Sequence, residues 1–291
     1  MIPDQRWSDP LQSIQREAEQ AYELALLALQ QAEQGVSIAS ATGYPYIDAV
    51  QKAAKAVKDA AETLLKSVEH ASGAPADRFL GEVKVRYMDL RDALLRLAET
   101  HMKGARWKEA RHVLAVLLEN KQALYYTEAC DLLCESYYQS GCAALKTENW
   151  EAAREDLAAV RRINPDYRDA AALEREAYLR PARAALQAGH YAAARAHLED
   201  WCKTHPDDAE ARDLLCESYY QSGCAALKTE NWEAAREDLA AVRRINPDYR
   251  DAATLEREAY LRPARAALQA GHYAAARAHL EDWCKTHPDD A

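Results

Sequence analysis

Residues 131–209 recur at 213–291 with a single change, Ala172 in the first stretch standing where the second has Thr254. Only Glu210, Ala211 and Arg212 separate the two stretches, so the chain repeats with a period of 82 residues. A fixed internal period constrains a fold strongly. Each unit must bury its apolar face against a neighbour built from the same residues, and the structure grows in one dimension. That expectation displaces the prior of about two ordinary domains that 291 residues would suggest.

The 82-residue unit divides again at a shift of 41. An aromatic residue, an alanine three on, a leucine four further and a proline eight beyond occur as Trp150, Ala153, Leu157 and Pro165, then as Tyr191, Ala194, Leu198 and Pro206. The second stretch repeats them as Trp232, Ala235, Leu239 and Pro247, then Tyr273, Ala276, Leu280 and Pro288. The chain is rich in Ala, Leu, Glu and Arg and holds one Phe and nine Gly, a helix-forming composition. A small residue between two helices permits close approach, and a proline ends a helix because it cannot donate the next backbone hydrogen bond.

This pattern resembles the tetratricopeptide repeat (TPR), a helical hairpin of helices A and B. The likeness is strongest in helix B. Gly141 and Gly223 fall where that family places a small residue in helix A, while Tyr137 and Ser140, or Tyr178 and Pro181, stand where it has Trp and Leu. The resemblance implies an all-α fold, a TPR-like right-handed helical solenoid, and here it would be preceded by an N-terminal antiparallel helical hairpin. The expected domains are 1–75, the hairpin, and 76–291, an array of five hairpins.

Along the chain, Asp9-Pro10 predicts a helix start, with the helix running to Gln34 and stopping at Gly35. Its centre, AYELALLALQQA, is apolar nearly all round and is expected to be covered on more than one side. Gly35 to Tyr46 reads as a connecting loop or an exposed contact loop. Ile47, Val50, Ala54, Val57, Ala61, Leu64 and Val68 predict the buried stripe of a second helix to His70, with Lys52, Lys55, Lys58 and Lys66 on a solvated face. Ser72-Gly73-Ala74-Pro75 marks a boundary. Ala76 to Lys103 reads as one helix turned by Gly104, and Trp107, Ala110 and Leu114 make a divergent first TPR-like hairpin that ends near Asn120. Acids at 166–169 and 207–208 open later helices. Pro181 and Pro263, inside long A helices, are expected to kink or split them. At Ala291 the sequence stops in what would be the opening turn of another helix A, so the array is expected to continue or to dock against another molecule.

A net charge of −10 argues against a nucleic-acid binder, and no apolar run approaches the ~20 residues that span a bilayer. The seven cysteines include no CxxC pair, and the start lacks a secretory layout, so reduced thiols and a cytoplasmic location are expected. The cysteines read as small apolar fillers, with no metal and no cofactor. No phosphate loop, HExxH or GxSxG motif is present, His190, His197 and His205 read as surface residues, and adjacent acids such as Glu155-Asp156 and Glu199-Asp200 diverge by about 100° on a helix. The chain is therefore expected not to be an enzyme.

The TPR frame implies a groove lined by helix A. Its inward positions are Tyr138, Gln139, Cys142 and Lys146, then Arg180, Arg183 and Gln187, then Tyr220, Gln221, Cys224 and Lys228, and finally Arg262, Arg265 and Gln269. Aromatic and basic groups at these places suit an acidic peptide or partner helix, recognised along its side chains. Another reading has Arg180 and Arg183 merely neutralise Glu174 and Glu176 or their neighbours. The resemblance extends to near-identical repeat arrays of bacterial sensor proteins, which implies as an alternative the arm of a larger signalling or defence complex. A further alternative is self-assembly through the array end or the N-terminal hairpin.

Overall fold

The computed structural model describes residues 8–36, 44–71, 76–118 and 126–287, with side chains over 12–30, 46–70, 83–118 and 126–287. Among them lie twelve helices and no strand: α1 (Ser8–Val36), α2 (Tyr44–Ala71), α3 (Ala76–Lys103), α4 (Trp107–Leu118), α5 (Tyr126–Lys146), α6 (Trp150–Ile163), α7 (Ala170–Gln187), α8 (Tyr191–Thr204), α9 (Ala209–Lys228), α10 (Trp232–Ile245), α11 (Ala252–Gln269) and α12 (Tyr273–Thr286). They form two compact units, Met1–Ala171 and Ala172–Ala291. Most of the Gly35–Tyr46 loop, Ser72–Pro75 and Asn120 lie outside the described residues.

In the first unit consecutive helices pack in pairs from α1 to α6. Every residue of the expected α2 stripe, from Ile47 to Val68, is buried. Helix α1 differs from expectation. It buries a stripe of Ala18, Ala21, Ala25 and Ala28 and leaves Leu26 and Leu27 exposed, so it is covered on one side. Four alanines make a smooth surface that lets α2 come close. Ser8 already opens the helix, and Gly35 lies within its last turn instead of ending it. One apolar cluster runs from α1 through α5.

A charged pair is buried in that cluster. Arg91 of α3 is fully buried and bonds Glu17 of α1 at 2.5 Å, while its other nitrogen donates to the Leu117 carbonyl of α4 at 2.6 Å. Tyr87 donates to the same carboxylate at 2.6 Å; burial, then the carboxylate, pushes its phenol up to about 12. Three helices thus meet at one ion pair whose polar atoms have partners, the condition under which a buried charge is tolerated.

The turn from helix A to helix B has one form in all five hairpins. Ala105, Glu148, Gly189, Glu230 and Gly271, each two residues before the helix B aromatic, take a left-handed φ of 55°, 56°, 75°, 58° and 75°. The residue after each donates to a carbonyl five back: Arg106 to His101, Asn149 to Ala144, His190 to Ala185, Asn231 to Ala226 and His272 to Ala267, at 2.8–2.9 Å. This is the hydrogen-bond pattern that closes helix C-termini. The chain turns at Gly104, as expected, with Ala105 as the left-handed residue. A Cβ at Gly104 would overlap the Tyr46 ring, whose hydroxyl lies 3.1 Å from His101 Nδ1.

Gly141 and Gly223 let helix A come close to helix B. A Cβ on either would stand 2.8 Å from Leu157 or Leu239. In the second unit, Leu179, Ala182, Leu198, Trp201, Ala211 and Leu215 join α7, α8 and α9, and a second cluster joins α9, α10 and α11.

Helices α7 and α11 run unbroken through Pro181 and Pro263, so of the expected kink or split the split does not occur. The second copy shows how. Pro263 cannot donate to the Ala259 carbonyl four residues back, and Arg236 of α10 donates to that oxygen instead, Nε to O at 3.2 Å.

Candidate functional site

The expected inward positions fall on α5 in the first unit and on α7, α9 and α11 in the second. On α5, Tyr138 donates to Asp169 at 2.6 Å and Gln139 to Glu135 at 2.8 Å. Glu135 also accepts from Tyr167 at 2.6 Å and pairs with Arg168 at 2.7 Å. Partial burial works against it, but these donors hold the Glu135 carboxyl below its usual range. The Arg168 guanidinium lies over the Tyr138 and Tyr167 rings, 5.0 and 5.2 Å from their centroids. The same knot recurs on α9: Tyr220 to Asp251 at 2.6 Å, Gln221 to Glu217 at 2.7 Å, Tyr249 to Glu217 at 2.7 Å and Arg250 to Glu217 at 2.7 Å. Asp169, expected as a helix opener, and its second-copy counterpart Asp251 spend their carboxylates on these tyrosines. Arg168 and Arg250 sit at a φ of 46° to reach the rings.

On α7 the basic rungs are paired. Arg180 bonds Glu176 at 3.2 Å, and Arg183 bonds Glu176 at 3.3 Å and also Glu210 at the start of α9. For Glu176 this follows the neutralising reading; Glu174 is buried. Arg175, which the sequence did not single out, grips Asp208 through two bonds of 2.6 and 2.9 Å and Glu210 through a third of 2.7 Å. Asp208 caps α9 through the Ala211 amide and accepts from Trp201 Nε1 at 2.9 Å. The Arg175 guanidinium foremost, with Trp201, holds its carboxyl well below the ordinary carboxylate range.

On α11, Arg262 is paired as Arg180 is, and Arg265 is the more open of the corresponding arginines. Arg262 bonds Glu258 at 3.2 Å, and Arg265 lies 3.7 Å from the same residue with 62% of its side chain exposed, against 34% for Arg183. Lys228, at the end of α9, and Gln269, at the end of α11, are exposed, as are Lys146 and Gln187. Cys142 and Cys224 are half-buried, their thiols pushed up by burial; Cys134 and Cys216, packed deeper, are pushed up by burial to about 11. The cysteines carry no disulfide, and among the described residues no group of three His, Cys, Asp or Glu is placed to hold a metal. His190 is exposed as expected, but His205 and His287 are half-buried, stacked on Trp201 and Trp283 with ring centroids 3.7 Å apart.

The sequence also missed an arginine that follows the helix B alanine in each hairpin. Arg111 lies over the Tyr137 ring at 3.9 Å and bonds Asp156 at 2.9 Å. Arg195 lies over Tyr219 at 4.7 Å and bonds Asp238 at 3.0 Å. Arg236 lies over Tyr260 at 3.9 Å and meets His279 Nδ1 at 3.3 Å. Aligning the five hairpins shows an Arg at this place, but its partners lie 24–26 and 43–45 residues away and carry no local signal.

An all-α array of helices packed pairwise, with a helix A face and a repeated helix B aromatic–Ala–Leu core, defines a TPR-like helical array. A family model of the tetratricopeptide repeat matches residues 92–120, the second half of α3 with α4, the hairpin whose pattern is the most divergent in the chain. No curated protein matched the sequence. Among the described residues no helix is long and apolar enough to cross a membrane.

Proposed function

We propose that the chain is a non-catalytic, cytoplasmic scaffold that binds an acidic peptide or partner helix on its helix A faces. TPR repeats suggest protein–protein interaction in general. The observation that carries the finer reading is the exposed cationic pair Lys228 and Arg265 on α9 and α11, in a chain whose net charge is −10. Arginine here offers two-point recognition of carboxylates. Tyr138, Gln139, Tyr220 and Gln221 serve by fixing the helix A face through their internal bonds, and Arg180, Arg183 and Arg262 are engaged by their own acids.

This reading separates two substitutions that the sequence alone treats alike. A fluorescein-labelled helical peptide with glutamates spaced four apart, titrated against the full chain, should bind at least tenfold more weakly to Arg265→Glu with the melting temperature unchanged. Arg183→Glu would place an acid between Glu176 and Glu210, so it should lower the melting temperature and leave α11 binding intact. Undiminished binding by Arg265→Glu would remove α11 from the site.

A further inference from the structure

A shift of 41 residues lays the joint of α10, α11 and α12 over the joint of α8, α9 and α10. In the earlier joint the tyrosine and the arginine both meet acids. The Tyr219 hydroxyl donates to Glu199 at 2.6 Å, and Arg195, which lies over the Tyr219 ring, donates to Asp238 at 3.0 Å. In the later joint Arg236 and Tyr260 keep the contact of guanidinium and ring, at 3.9 Å. Both acids are replaced: Ala240 stands in the place of Glu199, and His279 in that of Asp238.

The exchange leaves a gap with donors around it. Tyr260 is only 7% exposed, yet its hydroxyl makes no hydrogen bond among the described residues. It lines an open pocket of about 480 Å³ with Ala240, Ala241, Arg236 and Arg244. Arg236, Ala240 and Arg244 follow at four-residue spacing and so share one face of α10. Arg236 spends Nε on the Ala259 carbonyl and Nη2 on His279. Arg244 is exposed and enters no ion pair among the described residues. Tyr219, Glu237 and Asp238 complete the lining, and Asp238 is already held by Arg195.

We infer that this pocket binds the carboxylate of a small organic monoanion, held by the Tyr260 hydroxyl and the Arg244 guanidinium in the place that Glu199 fills in the earlier joint. Both contacts are hydrogen bonds to an ionised group, the stronger kind. Arg236 adds a second positive charge one turn away on the same face. Glu237 on the rim opposes a second negative charge, so a monocarboxylate suits the pocket better than a dicarboxylate or a phosphate. Ala240, Ala241 and the two tyrosines suit an apolar body behind the carboxylate. The inference stands apart from the helix A reading, since it uses none of those residues.

The test is a titration of the full chain with sodium benzoate at neutral pH and constant ionic strength. The readout is the NMR signal of the Ala241 methyl in alanine-labelled protein, assigned by its loss in Ala241→Gly. The signal should move saturably. Tyr260→Phe and Arg244→Gln should each weaken the affinity about tenfold, the loss of one charged hydrogen bond. Ala240→Glu, which supplies the carboxylate from the chain itself, should abolish the movement. No saturable movement, or an affinity indifferent to Tyr260→Phe, overturns the inference. So does tighter binding of inorganic phosphate than of benzoate, which would make the pocket a site for a dianion. A second measurement needs no ligand: Ala240→Glu should raise the urea midpoint, and the gain should vanish when Tyr260→Phe is added. No gain, or the same gain without the hydroxyl, would show that Tyr260 does not serve this place and would overturn the inference as well.

Discussion

Five residues carry the bend between helix A and helix B, and only two are glycine. An L-residue in the left-handed region costs roughly 1–2 kcal/mol, a cost glycine escapes. The repeat thus holds a small store of strain at Ala105, Glu148 and Glu230. Glu148→Gly and Glu230→Gly should each raise the unfolding free energy by about 0.5–1 kcal/mol, and Gly189→Ala should lower it by a similar amount, seen as shifts in urea midpoint at constant slope. Equal midpoints would mean that these turns relax when substituted. Glu148 carries no local mark of this turn, and it is the 41-residue alignment that sets it in the place of Gly189. Gly104 shows the converse. Its presence was legible, but its reason is the Tyr46 ring, brought in by a helix 58 residues earlier.

Elements were read well where periodicity alone decides them. The α2 stripe is a simple consequence of 3.6-residue spacing, and α3 spans the expected residues. Expectation failed where a distant side chain intervenes. A proline inside a helix orphans a carbonyl, and sequence cannot show that Arg236 reaches it from the preceding helix. Removing that donor leaves a buried acceptor unmet, at about 1–3 kcal/mol. Arg236→Met should therefore destabilise the chain, and Pro263→Ala should recover part of the loss by restoring the intrahelical bond. A double-mutant cycle in urea should give a coupling of about 0.5 kcal/mol or more. Strict additivity would show that the contact does not carry α11 past its proline. Helix α1 failed differently: its leucines were visible, but which side α2 would cover depends on four alanines whose value lies in being small.

At the scale of the molecule, the duplication made an all-α array legible from the first comparison of residue 131 with residue 213. The site was legible only as a set of positions. Arg180, Arg183, Arg262 and Arg265 look alike in the sequence, and their acids divide them: Arg183 is taken by Glu176 and Glu210, whereas Arg265 stays mostly exposed. Charge balance of this kind is set by which helices face each other, a tertiary fact that spacing along one helix does not contain. The central claim is that an acidic partner lies on the helix A face of α9 and α11. Hydrogen–deuterium exchange of the full chain, with and without the glutamate-bearing helical peptide, tests it most directly. The account predicts slowed exchange concentrated in the last two turns of α9 and α11, around Lys228, Arg265 and Gln269, and lost in Arg265→Glu. Protection confined to other helices, or unchanged by that substitution, would contradict it.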